Sequence, residues 1–311
     1  MPEMKPTRDA YGEILPLLGA EFPNLVVCDA DVIGSVRTGG FKKAFPERFF
    51  EFGIAEANMI GAAAGLAATG HIAVASTFAV FATGRVYDQI RQSVCLSNLD
   101  VKIIATHAGL TVGEDGASHQ ILEDIALMRV LPRMRVLVPC DYPEAMAAVR
   151  LAISSPGPCY VRLGREKSAV IYGADHKLEF GKAHRHGEPG DLAMIACGYG
   201  VPLALEAAES LRKDGLKVEV INCASVKPLG EATIIDAARK AKRGVMTVEE
   251  HQLNGGLGEA VARVIAANHP TRMAFFGMND QFGQSGPAQQ VLEHYGFTAA
   301  NVTEAARAFV G

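Results

Sequence analysis

Short apolar runs alternate along this chain with longer stretches of helical period. Residues 25–29, 72–76, 101–106, 136–138 and 159–163 are brief, rich in β-branched side chains, and lack apolar–polar alternation. Such runs read as strands buried on both faces of a parallel sheet. Between them, 55–68, 85–96, 121–130 and 143–154 carry helical patterns, the first rich in Ala and closed by Gly70. Ala favours helix, and Gly ends it by accepting a left-handed backbone.

The alternation resumes near Asp191, with strand-like runs at 192–196, 218–221 and 245–248 and helical stretches at 201–213, 231–241 and 257–268. The intervening segment is rich in charge, Gly and His and weakly periodic, as a connection between domains is. The pattern predicts an α/β chain of two domains, with mainly parallel sheets flanked by helices. The domains are expected at 1–168 and 191–311, joined by a linker at 169–190. Fold alone names no reaction.

Charge and composition narrow the function classes. The formal net charge is -4 and no Lys or Arg run forms a basic stripe, which argues against a nucleic-acid partner. No apolar stretch is long enough for a bilayer, and the polar first ten residues lack a signal core. A cytoplasmic address is the expectation. The six cysteines form no C-x-x-C pair, so they read as buried thiols in a reducing compartment.

Three segments hold residues suited to chemistry. In Phe52-Gly53-Ile54-Ala55-Glu56-Ala57-Asn58 a carboxylate opens the Ala-rich helix. It either complements the helix dipole or is buried, its pKa raised so that it shares a proton with a bound heterocycle. In Thr77-Phe78-Ala79-Val80-Phe81 the two rings either fill the core or present a face for stacking. The third segment, from Thr106 to Gln120, gathers three Gly, two His and two acids directly after a strand-like run. Ligand sites of open α/β sheets lie there, and a loop so composed points to function. His107 and His119 have no third partner at metal-ligand spacing, so sugar hydroxyls suit them better than an ion. Gly255-Gly256-Leu257-Gly258, before a helix, reads as a tight turn in preference to an anion site.

Together, G-I-A-E ending at Glu56, T-F-x-x-F ending at Phe81, and T-H-x-x-x-x-V-G-E-D-G-x-x-H-Q ending at Gln120 resemble the pyrimidine-binding domain of transketolases. Asp280-Gln281-Phe282-Gly283-Gln284-Ser285-Gly286, Tyr295-Gly296-Phe297-Thr298 and Thr247-Val248-Glu249-Glu250 look like the transketolase C-terminal domain. The resemblance spans nearly the whole chain.

That resemblance implies thiamine diphosphate as cofactor. Glu56 matches the glutamate that meets a ring nitrogen of the aminopyrimidine, Phe81 the ring that stacks on it, and Phe78 lies beside. Asp31 and Ser35 resemble a loop that meets cofactor and donor. Asp115 and His107 match binders of sugar hydroxyls, and His119 a proton shuttle at the donor carbonyl. Arg8 and Arg165 resemble the arginines that hold the sugar phosphate, a bidentate task for a planar guanidinium. Ala108 departs from the acid many transketolases have there.

The family's diphosphate domain, marked by G-D-G and a later Asn, has no counterpart in this sequence. The resemblance therefore implies that Mg²⁺ has no ligand in this chain. A separate N-terminal subunit would hold the metal and the diphosphate, in an assembly of two copies of each chain. The implied reaction moves a two-carbon ketol unit from a ketose phosphate to an aldose phosphate. The alternatives are a 1-deoxy-xylulose-5-phosphate synthase-like enzyme, the beta subunit of a 2-oxo acid dehydrogenase, and a non-catalytic partner subunit.

 The expected assembly is thus α2β2, with sugar phosphates as substrates.

Overall fold

The structure, a computed structural model, describes residues 3–311. The strands of the first half are β1 (Met4–Pro6), β2 (Leu25–Asp29), β3 (Phe49–Glu51), β4 (Ile72–Ser76), β5 (Val101–Ala105), β6 (Arg135–Leu137), β7 (Cys159–Arg162) and β8 (Lys167–Ala169). Those of the second half are β9 (His184–His186), β10 (Leu192–Ala196), β11 (Val218–Asn222), β12 (Ser225–Lys227), β13 (Gly244–Gln252) and β14 (Met273–Met278). They build a seven-stranded sheet in the order β12-β6-β7-β5-β4-β2-β3 and a five-stranded sheet in the order β14-β13-β10-β11-β9. A small antiparallel pair, β1 with β8, completes the set.

The sheets are mainly parallel and flanked by helices, as the strand patterns require. β2, β4, β5, β10 and β11 are buried at every position, because helices cover both faces. Even Lys102 in β5 is enclosed, its ammonium donating to the carbonyls of Ser155 at 2.7 Å and Gly157 at 2.6 Å. All six cysteines are buried and free.

Two short strands tie the halves together. β12 leaves the second half and pairs antiparallel with β6 in the larger sheet. β9, inside the stretch that reads as a linker, pairs antiparallel with β11. Two helical stretches also differ from the sequence pattern. The one expected at 121–130 begins at Asp124, and the one expected at 85–96 is a short helix, Tyr87–Gln89, between wider π-helical turns at Phe81–Arg85 and Ile90–Leu96. Such turns recur at functional sites.

β3, β2, β4 and β5 are neighbours, all parallel. Their carboxyl ends therefore deliver four segments to one edge: Asp31–Ser35, Gly53–Glu56, Thr77–Phe81 and Thr106–Gln120. A parallel bridge between Phe78 and Thr106 extends the pairing into that edge.

Candidate functional site

Gly53, with φ +66°, turns the chain after β3 into the helix Glu56–Ala68. Glu56 is 3% exposed, while Ile54 beside it is 79% exposed. Arg85, on the π-helical turn, donates to Glu56 Oε2 at 2.9 Å. Its guanidinium also lies 4.5 Å from the centre of the Phe81 ring. Phe81 and Phe78 stack at 6.2 Å with 18° between their planes. Phe78 in turn stacks on His107 at 3.9 Å. His119 meets Phe81 edge-on at 5.3 Å. Glu56, Phe81, Phe78, His107 and His119 thus form one continuous wall. Arg85 is the member that sequence reading missed, since its carboxylate partner lies 29 residues away.

His107 has φ +60°, a left-handed backbone that turns its ring toward Phe78 and Arg8. Its Nδ1 lies 2.7 Å from Thr106 Oγ1 and its Nε2 lies 3.3 Å from an Arg8 nitrogen. A guanidinium only donates, so Nε2 accepts and Nδ1–H donates to Thr106. Burial first, and then the Arg8 charge, push the His107 pKa down to about 3. Burial and the neighbouring Arg37 likewise lower Arg8 from its usual range.

Arg8 also donates to the Ser35 carbonyl at 3.3 Å, and its buried Nε has no acceptor. Ser35 thus meets the site through its backbone. Asp31 is exposed at φ +63°, its N–H donating to Glu51 Oε1 at 2.7 Å. The loop carrying both is anchored by buried Asp29, which accepts from Thr38 Oγ1 at 2.6 Å and Val32 N–H at 2.9 Å. Burial raises the Asp29 pKa to about 6. Arg165 donates to Glu114 Oε2 at 2.9 Å and to the Val112 carbonyl, and stands 4.0 Å from Asp115 Oδ2.

The second half braces the Thr106–Gln120 loop from outside. At Gly109, φ is +80° and an added Cβ would stand 2.3 Å from the Glu250 carboxylate. Glu250 Oε1 accepts from Thr111 N–H at 3.0 Å. Gln120 Nε2 donates to the Gln284 carbonyl at 3.1 Å, and Ser285 Oγ donates to the Glu114 carbonyl. The Asp280–Gly286 segment therefore holds the loop in place. Glu249 accepts from Leu257 N–H at 2.6 Å and Gly258 N–H at 2.7 Å. The Gly-rich turn presents its helix N-terminus to the chain's own Glu249 carboxyl group, whose pKa burial raises to about 7.

Residues 3–169 match the family described as transketolase, pyrimidine binding domain, and residues 181–302 match transketolase, C-terminal domain. The chain belongs to the transketolase family. It is 47% identical over 305 residues to a Methanocaldococcus jannaschii protein named "Putative transketolase C-terminal section", covering 96% of this chain and 95% of that one. It is 36% identical to a 6-deoxy-6-sulfo-D-fructose transketolase subunit of Clostridium sp., covering 92% of it. Human transketolase is 34% identical, and the match covers 98% of this chain but 49% of that protein. The chain thus spans about half the length of such full-length transketolases. A solved structure described as a split gene transketolase, inactive beta4 tetramer, superposes with a TM-score of 0.90 at 45% identity, covering 98% of each chain. The chain corresponds to the C-terminal section of a split transketolase.

Proposed function

We propose that this chain is the C-terminal subunit of a thiamine diphosphate-dependent transketolase, active with a separate N-terminal subunit. The observation that carries the proposal is the Arg85 guanidinium, a flat N–H group that meets the Glu56 carboxylate and the Phe81 ring at once. A planar nitrogen heterocycle of similar thickness fits those two contacts. When bound, thiamine diphosphate supplies the nucleophilic carbon that carries the two-carbon unit.

The chain's own residues take the remaining tasks. Glu56 holds a proton at a ring nitrogen of the aminopyrimidine, and Phe81 and Phe78 fix the plane of that ring. Asp31 lies in the loop that meets the cofactor, and Ser35 in its continuation toward the donor. His107, neutral at physiological pH, accepts a hydrogen bond from a donor hydroxyl through Nε2. Asp115 accepts from another hydroxyl. His119, beside Phe81, moves a proton at the donor carbonyl. Arg8 and Arg165 hold the donor's tetrahedral oxyanion, and the unpartnered Arg8 Nε supplies a free donor for it. A phosphate suits these cations, and so does a sulfonate of the kind named for the Clostridium relative.

Mg²⁺ and the diphosphate fall to the N-terminal subunit in an α2β2 assembly. The exposed Ile54, two residues from buried Glu56, is a surface such a partner would cover. The test is ketol transfer from xylulose 5-phosphate to ribose 5-phosphate, with thiamine diphosphate and Mg²⁺. Activity with the N-terminal subunit but not with this chain alone is expected. Glu56→Gln in the complex should lower turnover by about 10²–10⁴-fold, the worth of a positioned acid/base group. Unchanged turnover would leave this chain a non-catalytic partner. Release of CO₂ from pyruvate by the complex would replace transketolase with a decarboxylating relative.

A further inference from the structure

Three of the nine histidines fall within positions 176–186, in the stretch expected as a linker between the domains. None belongs to the wall around Glu56. The fold packs two of them, His176 and His184, against the helix Tyr142–Ser154, at the carboxyl end of β6. Asp141 caps that helix and accepts from the N–H groups of Ile171 and Tyr172 at 2.7 and 2.8 Å, which fastens the incoming stretch to it. Tyr172 stacks on His176 at 3.8 Å, and the rings of His176 and His184 are 4.7 Å apart.

Glu144, in the first turn of the same helix, is fully buried. It accepts from the Cys140 N–H at 2.9 Å and from Asn222 Nδ2 at 2.8 Å. Its only ion-pair neighbour among the described residues is His176, whose Nε2 lies 3.4 Å away without hydrogen-bond alignment. Among the described residues no Lys or Arg lies within ion-pair distance of this carboxylate, whose hydrogen-bond donors are neutral groups. Burying a charge is costly unless a cation or a set of donors compensates it. His176, with its side chain 7% exposed, and His184 each leave a buried Nε2 without a partner. One carboxylate oxygen and two imidazole nitrogens come within 4.8 Å of one another.

We propose that Glu144, His176 and His184 bind a divalent transition-metal ion of the zinc class, clipping the stretch between the domains to the first sheet. Two imidazoles and a carboxylate suit zinc, and ligands at about 2.1 Å around a tetrahedral ion lie about 3.4 Å apart. Side-chain rotations on the order of an ångström bring the three atoms to that spacing. Water takes the fourth position, and Asn222, whose Nδ2 bonds the Glu144 carboxylate, keeps a buried Oδ1 without a donor. His186 lies outside the ligand set, its Nε2 2.8 Å from the Tyr172 hydroxyl oxygen. The Cys140 thiol is not among the three groups whose ligand atoms converge.

The test is titration of the full, metal-stripped chain with Zn²⁺ by calorimetry and with Co²⁺ by visible absorption. Saturable binding of about one ion per chain is expected, with the intense Co²⁺ bands of a four-coordinate site. His176→Gln and His184→Gln should each weaken it at least about tenfold, whereas His294→Gln should not. Undiminished binding in a His176→Gln/His184→Gln double variant would overturn the proposal, as would no saturable binding to the wild-type chain. Crystals of the wild-type chain soaked in zinc give a reading independent of variant folding. An anomalous peak between the three side chains supports the site, and a zinc-soaked crystal without one overturns it.

Discussion

Arg85 donates to Glu56 at 2.9 Å while its guanidinium covers Phe81 at 4.5 Å, so one side chain makes both contacts proposed for the cofactor's pyrimidine. The heterocycle can dock only after Arg85 swings away. Arg85 is half exposed, which makes that movement cheap, since ion pairs reaching solvent are worth about 0–1 kcal/mol.

Arg85→Met should therefore lower the thiamine diphosphate concentration for half-saturation of the complex by about two- to fivefold, equivalent to that ion-pair range. Cofactor titration of turnover measures it. Weaker cofactor binding in the variant would mean that Arg85 supports the site and does not compete for it.

Arg165→Met should raise KM for the phosphorylated donor by about 10–100-fold with a smaller change in kcat, as loss of one charge-assisted contact of about 1.5–3 kcal/mol implies. Steady-state kinetics on a phosphorylated and an unphosphorylated ketose would check it. An equal loss for both substrates would place Arg165 elsewhere than on the phosphate.

His107 should remain neutral throughout the working pH range. Its folded pKa of about 3 lies below the ordinary 6.5, so the unfolded chain takes up the proton first on acidification. The stability tied to His107 is present above about pH 6.5 and drains away toward about pH 3. Histidine NMR should show a flat His107 signal from pH 8 to 5, as an order-of-magnitude reading of that shift. Arg8→Gln should move the midpoint upward, though not to 6.5, because burial is the larger cause. A His107 midpoint near 6.5 in the wild-type chain would contradict the burial seen here.

Arg162 joins the two halves. It donates to Asp124 Oδ2 at 2.8 Å and to the Glu250 carbonyl at 2.9 Å, and lies 3.5 Å from Glu250 Oε2. Burial alone would lower its pKa, but Asp124 and Glu250 outweigh burial and raise it. Arg162→Met leaves two buried carboxylates without their cation, a loss of about 3–5 kcal/mol. Urea unfolding should show it as a lower midpoint. A shift under about 1 kcal/mol would mean that water reaches the carboxylates in the variant.

Much of the site was legible because its residues come in contiguous motifs at strand ends. Glu56, Phe78, Phe81, His107 and His119 are each recognisable within their own segment. The helix Thr7–Glu21, which carries Arg8, was not legible. It contains Gly12, Pro16 and Gly19, which weaken the helical signal. Close packing requires the two glycines: a Cβ on Gly12 would stand 2.6 Å from Arg37, and one on Gly19 2.5 Å from Phe45. β12 was hidden for another reason. It has three residues and pairs with β6, about ninety positions earlier in the chain.

The sequence by itself determined the α/β class, the buried parallel strands, the loop chemistry and the family, because each rests on local periodicity or a contiguous motif. Only the tertiary structure decided that Arg85 covers Phe81, that Glu249 of β13 caps the helix Leu257–Asn268, and that His176 and His184 meet Glu144. Those pairings depend on which strand ends and helix starts the sheet order brings together. No spacing along one chain carries that information, since contacts between distant segments are set by packing of the whole core.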